Sequence, residues 1–244
     1  MPRNPMPVLA LLTLAAAAMA AQACSSDPAE PPYDPDIPAT WAAAVDNPLF
    51  PLLQGTIYQF GGAEDIKVEV TGTRVVNGVT ATEVRDRVFV NGELVEDTFD
   101  WYAQDPDGNV WYLGEDTKEY ENGQVVSTAG SWEWGVGGAL PGIIMYADPA
   151  AHLGERYRQE YLAGVAEDFG KVTATNVSVT VPFGSLTGCV RTEDTSGLEP
   201  GLKEVKTYCP GLGNVLTAQP DGSDRVELTG VTAPLQQRRQ ARGE

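Results

Sequence analysis

Four tight-turn signals constrain this chain more than any other feature: Asn77-Gly78, Asn91-Gly92, Asp107-Gly108-Asn109 and Asn122-Gly123. Asn and Gly accept the positive φ that two-residue hairpin turns require, so each signal between alternating runs predicts a pair of neighbouring antiparallel strands. The runs do alternate. Ile66, Val68 and Val70 are interleaved with Lys67, Glu69 and Thr71, and Val84, Val88 and Val90 belong to a longer β-branched stretch broken by charge. After the Gly-rich section 130–154, Val177, Val179 and Val181 resume the period of two, and GNVLTAQ and DRVELTG flank a Pro-Asp-Gly-Ser turn. About nine or ten strands with one apolar face cannot stay flat in water. The expected fold is mainly β, an antiparallel meander curled into a barrel or half-barrel, with one or two short helices. One helix is expected over 38–47, where Pro38 precedes an Ala-rich run, and a shorter one at PAAHL within the otherwise irregular Gly-rich connection. No repeat recurs at a fixed period, which argues against a propeller.

The first residues carry an address. Arg3 is followed by an uncharged run, Val8 to Ala23, mostly Ala and Leu, shorter than the roughly 20 residues that span a bilayer. It ends in Ala21-Gln22-Ala23, so residues 1–23 read as a cleavable signal segment. Cys24 follows directly, and SSDPAEPPYDPDIP is too polar and Pro-rich to fold alone. The expected organisation is therefore a signal over 1–23, a flexible tether over 24–37, a single β-rich domain over 38–230 and a disordered basic tail over 231–244 with Arg238, Arg239 and Arg242.

Net charge is −18. Such a chain repels phosphate backbones, so nucleic-acid partners are not expected. Acidic residues alternating with apolar ones read as one wet face of a sheet. Cys189 and Cys209 flank a turn-rich segment whose midpoint is Glu199. In an antiparallel hairpin they stand opposite each other, within reach of a cross-strand disulfide in an oxidising compartment.

The region around Cys24 resembles the bacterial lipobox, in which a diacylglyceryl group is attached to Cys after cleavage. Ala21 stands where Leu is commonest and Gln22 where a small residue is usual. The resemblance implies a membrane anchor at Cys24; the alternative is cleavage after Ala23 that leaves Cys24 as a free or paired thiol. FPLLQGTIYQF and TYCPGLGNVL resemble secreted bacterial proteins with the curved sheet of lipoprotein-carrier and lipocalin-type domains, although Ile57 stands where such openings usually have Trp. That resemblance covers short segments only, and it implies a half-barrel that holds a ligand in an apolar groove.

No catalytic constellation is evident. His152 is the one histidine, which disfavours both a zinc site and a His-based triad. GSLTG at 184–188 has Ser in the second position, unlike the nucleophile elbow. DPDGN at 105–109 superficially resembles a calcium loop, but Gly108 is fourth rather than sixth and Asp116 occupies the twelfth position, so it reads as a hairpin turn. Glu115-Asp116, Glu167-Asp168 and Glu193-Asp194 read as surface pairs. No metal, cofactor or catalytic residue is assigned.

Aromatics are the remaining lead. Trp101, Trp111, Tyr112, Trp132 and Trp134 come from consecutive strands; alternation sends Trp101 and Tyr102 to opposite faces and puts Trp132 and Trp134 on one. They fill the core or form a platform for a hydrophobic or sugar-like ligand. The leading expectation is an envelope binding protein; the others are a secreted carboxylate-dependent enzyme, whose mark would be a raised carboxyl pKa in a pocket, and a structural or partner-binding component.

Overall fold

The computed structural model describes residues 32–233. The signal segment, Cys24 and the tail from 234 onward lie outside the described residues. The strands are β1 (Ile57–Gly62), β2 (Asp65–Val76), β3 (Val79–Val90), β4 (Glu93–Gln104), β5 (Val110–Glu121), β6 (Gln124–Ser127), β7 (Trp132–Glu133), β8 (Leu140–Met145), β9 (Arg156–Arg158), β10 (Glu160–Tyr161), β11 (Asp168–Val181), β12 (Gly184–Ser196), β13 (Lys203–Cys209), β14 (Gly213–Ala218) and β15 (Val226–Thr232). One sheet contains them all in the order β10-β8-β5-β4-β3-β2-β1-β15-β14-β13-β12-β11-β9, with β6 and β7 pairing β5 off this path. Every ladder is antiparallel, as the turn signals predict. Asn77, Asn91 and Asn122 each sit at positive φ, where Asn is tolerated.

The two ends of this order are β9 and β10, and only Gln159 separates them along the chain. The sheet is thus curled until its edges are bridged by the chain itself, while the hydrogen-bond ladder stays open. The mainly β half-barrel is observed. The Cys189–Cys209 disulfide is present, with Cα atoms 4.2 Å apart, and the Val190↔Tyr208 register places the cysteines opposite each other.

Curling creates two apolar zones. The inner cluster includes Phe50, Tyr58, Phe60, Val70, Val84, Tyr102, Tyr112 and Leu228. A second, of Val76, Val79, Ala81, Trp101, Ala103, Trp111 and Leu113, lies on the opposite face of the same strands and is covered by Ile37 and Trp41.

The segment 38–47 is not a helix. Its backbone is engaged across the sheet instead: Ala42 N donates to the Gln104 carbonyl at 2.8 Å, and Asp46 N and Asn47 N both donate to Gln104 Oε1, at 2.9 and 2.8 Å. Trp41 packs edge-on to Trp111 with ring centroids 6.0 Å apart. Those long-range bonds and the burial of an indole outweigh the local Ala preference. Residues of the expected tether also lie on the fold, where Tyr33 donates its hydroxyl to the Pro141 carbonyl at 2.9 Å. The Gly-rich section is more regular than its composition suggests. It supplies β7, β8 and a single 3-10 turn over Pro149–His152. Gly142 is required in β8 because a Cβ there would lie 2.4 Å from the Arg158 carbonyl oxygen.

Candidate functional site

The interior of the curled sheet is not uniformly apolar. On β4, alternation turns Glu96, Thr98, Asp100 and Tyr102 inward, and on β3 it turns Val84, Asp86 and Val88. Asp100 stands opposite Glu115 and Thr98 opposite Thr117 on β5. From the other side Glu204, Lys206 and Tyr208 of β13 and Thr192 and Asp194 of β12 complete the lining. Acids such as Glu69, Glu83 and Glu119 do lie on a solvated face, but Glu96, Asp100, Glu115 and Asp194 turn to the enclosed side, a correction to the expectation of a wet face for these residues. The adjacent pairs are corrected likewise: Glu115 and Asp194 are buried while Asp116 and Glu193 are not, because neighbours along a strand point to opposite faces.

These acids are short of counter-charge. Lys206 Nζ lies 3.0 Å from Asp194 Oδ2 and 3.7 Å from Glu204 Oε2. Burial alone would lower the lysine, but Asp194, Tyr208 and Glu204 reverse this and hold it protonated. Burial raises the proton affinity of most of these acids. Burial, reinforced by Asp100, Glu96 and Glu64, pushes Asp86 well above the usual carboxylate range. Burial raises Asp100 to about 7 against an opposing hydrogen bond from Tyr112, and Glu204 and Glu64 also to about 7. Glu115 and Glu160 are raised by burial and by each other's neighbourhood of acids. Asp86 Oδ1 and Glu115 Oε2 are buried without a hydrogen-bond partner.

Between this polar floor and the solvent lies a pocket of about 50 Å³. Phe50, Leu52, Tyr58, Phe60, Val68 and Leu212 give it apolar walls, and Asp86 and Asp100 line its inner end together with Asn214. Phe50 is fixed by edge contact with Tyr102, centroids 5.1 Å apart. Asp86 stands opposite Thr98 and Asp100 opposite Val84, so the two carboxyls are diagonal neighbours on adjacent strands.

The aromatic residues singled out in the sequence have a different job. Trp101, Trp111, Trp132 and Tyr112 are 2%, 6%, 4% and 0% exposed. Trp132 Nε1 donates to Glu160 Oε2 at 2.7 Å, Tyr112 donates its hydroxyl to Asp100 Oδ1 at 2.6 Å, and Trp111 Nε1 donates to Asp105 Oδ2 at 3.0 Å. Tyr112 stacks on Tyr102 with centroids 5.0 Å apart. Trp101 and Tyr102 do lie on opposite faces. Trp134 is half-buried beside Trp41 and packs against both apolar clusters, at the point where β7 ends and alternation stops. The structure thus brings Tyr112 and Trp132 to the acidic interior, leaves Trp101 and Trp111 to the other face, and sets Trp134 between the two.

The DPDGN segment forms the β4–β5 turn, with Asp105 Oδ1 accepting from Asn109 N at 2.8 Å. His152 is stacked on Tyr146 and lies 2.8 Å from Glu155 Oε2, a carboxylate partner the sequence reading did not assign. Among the described residues no group of His, Cys, Asp and Glu is arranged to hold a metal ion. The sequence reading missed Asp86 and Asp100. Their signal is an acid recurring at the inward phase of a strand whose other inward residues are Val and Tyr.

No protein-family model and no curated protein matches the chain. Two solved structures align with it, each over 75% of this chain and 98% of its own, at 13% identity: a candidate lipoprotein from Parabacteroides distasonis, TM-score 0.36, and a candidate exported protein with a YmcC-like fold from Bacteroides fragilis, TM-score 0.42. Likeness at that level carries no functional conclusion.

Proposed function

We propose that this is an exported ligand-holding module, tethered to the cell envelope through lipid at Cys24, which receives the apolar part of a small molecule in the mouth of the half-barrel. One observation supports the reading above others: an apolar-walled pocket opens onto acids that are buried and short of partners. A chain selected for stability alone would fill that space with aliphatic side chains, since desolvating acids costs free energy unless something compensates. The lining favours a hydrophobic ligand over a sugar. A ring of hydroxyls would lose more water than Asp86, Asp100 and Asn214 replace.

The test is displacement of a neutral fluorescent reporter, N-phenyl-1-naphthylamine, from the mature chain by aliphatic compounds, repeated with Val68→Trp to block the pocket. Saturable binding that the variant loses is the expected result; equal binding by both proteins, or none, overturns the reading. Native mass spectrometry of protein drawn gently from membranes tests the tether, which predicts a covalent diacylglycerol mass on Cys24.

A second reading is a secreted enzyme in which Asp86 and Asp100 act as acid and base. It is favoured by the raised proton affinity of two neighbouring carboxyls in a pocket, which is how acid–base pairs are set up. Turnover of a hydrolase substrate panel, abolished equally by Asp86→Asn and Asp100→Asn, would establish it in place of simple binding.

A further inference from the structure

We infer that the pocket recognises a primary ammonium group on a short apolar chain, with the nitrogen held between Asp86 and Asp100. This rests on the ligand-holding reading and assigns it a chemical class. Three features of the geometry converge on a cation. The enclosed side carries Asp86, Glu96, Asp100, Glu115, Glu160, Asp194 and Glu204, against the single buried lysine, Lys206. That lysine is already committed to Asp194 and Glu204 on the far wall. Asp86, 2% exposed, lines the pocket and has an oxygen, Oδ1, with no hydrogen-bond partner.

Diagonal neighbours on adjacent strands have Cβ atoms roughly 7 Å apart. Carboxyl groups on that spacing converge closely enough for one nitrogen to reach an oxygen of each at about 2.8 Å. An ammonium has three donors, so it satisfies Asp86 Oδ1, Asp100 Oδ2 and a further acceptor, while a hydroxyl has one donor. Around the pocket's inner end, the charged and titratable groups that face Asp86 are Asp100, Glu96 and Tyr102 from β4, Glu64 from the β1–β2 turn and Lys206 from β13. Once Asp86 ionises, these acids outnumber the one committed base, and an added cation restores the balance.

The pocket volume of about 50 Å³ is several times the minimum of about 10–15 Å³ that one water needs. It takes the ammonium and its first methylenes, and Phe50, Leu52 and Leu212 at the rim cover the rest of a short chain.

Occupation has a proton balance. In the empty protein burial and the acids around it favour the protonated form of Asp86. Arrival of the ammonium makes the carboxylate the favoured form, so the Asp86 proton leaves for the buffer and no covalent bond changes.

The experiment compares hexylammonium, 1-hexanol and hexanoate by titration calorimetry on the full mature chain near neutral pH, in two buffers with different heats of ionisation. Hexylammonium is expected to bind at least about tenfold more tightly than hexanol, with a net release of protons to the buffer. Asp86→Asn should remove that preference and the proton release while leaving hexanol binding in place, and Asp100→Asn should weaken the preference without abolishing proton release. Near-UV circular dichroism confirms that both variants are folded. Hexanol or hexanoate binding as tightly as the amine overturns the ammonium assignment and leaves the ligand-holding reading standing. Failure of all three to bind overturns both.

Discussion

Replacing Asp100 by Asn should flatten the pH dependence of this protein's stability. Asp100 is fully buried and its carboxyl is raised from an ordinary 3.8 to about 7. Its folded value therefore lies above its unfolded value, and the folded chain binds the proton more tightly. Stability is greatest where the unfolded carboxyl is also protonated; it falls as pH rises through the interval between the two values and stays low above it. Going from about pH 5 to about pH 8, the unfolded group stays ionised while the folded group loses its proton near the end of the climb, so roughly two decades of proton affinity are forfeited. At about 1.4 kcal/mol per decade, Asp100 alone accounts for about 2–3 kcal/mol of lost stability over that range. Asn keeps an oxygen to accept the Tyr112 hydroxyl, now bonded at 2.6 Å, and has no proton to lose. The assay is urea unfolding followed by tryptophan fluorescence at four pH values across the interval. Glu204 and Glu64, also raised to about 7, make the wild-type curve fall further in the same direction. The difference between the two proteins isolates Asp100. Parallel curves for wild type and variant would refute the assignment of a neutral, buried Asp100.

Other perturbations separate the parts of the fold. Lys206→Met removes the one cation from among Asp194 and Glu204; the cost should be about 3 kcal/mol at mildly alkaline pH and smaller in mild acid, where Glu204 is neutral, as read from urea midpoints. Converting Cys189 and Cys209 together to Ala opens a bridge of sequence separation 20, and chain entropy predicts a loss of about 3 kcal/mol, measurable as a lower unfolding midpoint against the oxidised protein. Gly142→Ala pushes a methyl to within 2.4 Å of the Arg158 carbonyl, where β8 passes under the link between β9 and β10. A loss of about 2 kcal/mol is expected, with early exchange of the β8 amides.

What was legible in the sequence follows from the range of the forces involved. The Asn-Gly turns specify hairpins locally, so the meander and even the register of the disulfide hairpin could be read from spacing. The segment 38–47 could not, because Gln104 captures its amides from about sixty residues away and nothing local signals that. The acidic interior was misread for a related reason. Period-two alternation says that Glu96, Thr98 and Asp100 share a face with Tyr102, but not whether that face is enclosed. Hydrophobicity assigns it to water. What encloses it is curvature, a property of the whole sheet that brings β9 and β10 within one residue of meeting. For the aromatics the sequence leaves core and platform open, because alternation does not say that Tyr112 and Trp132 turn their polar tips to Asp100 and Glu160.

The two kinds of interior residue are consistent only if the enclosed space has a use. Val70, Val84, Val88 and Leu228 show that this chain fills inward positions with aliphatic groups wherever it needs packing alone. At Asp86, Asp100, Glu115 and Glu160 it places carboxyls instead, raises their proton affinity by burial, and supports two of them with a tyrosine hydroxyl and an indole N–H. A hydrogen bond returns part of the desolvation cost at Asp100 and Glu160. At Asp86 and Glu115 an oxygen is left without a hydrogen-bond partner, and of these two residues Asp86 is the one that lines the apolar pocket. The proposed ligand would therefore meet an acid whose desolvation cost the chain leaves unreturned, and its binding would depend on the atom it offers there.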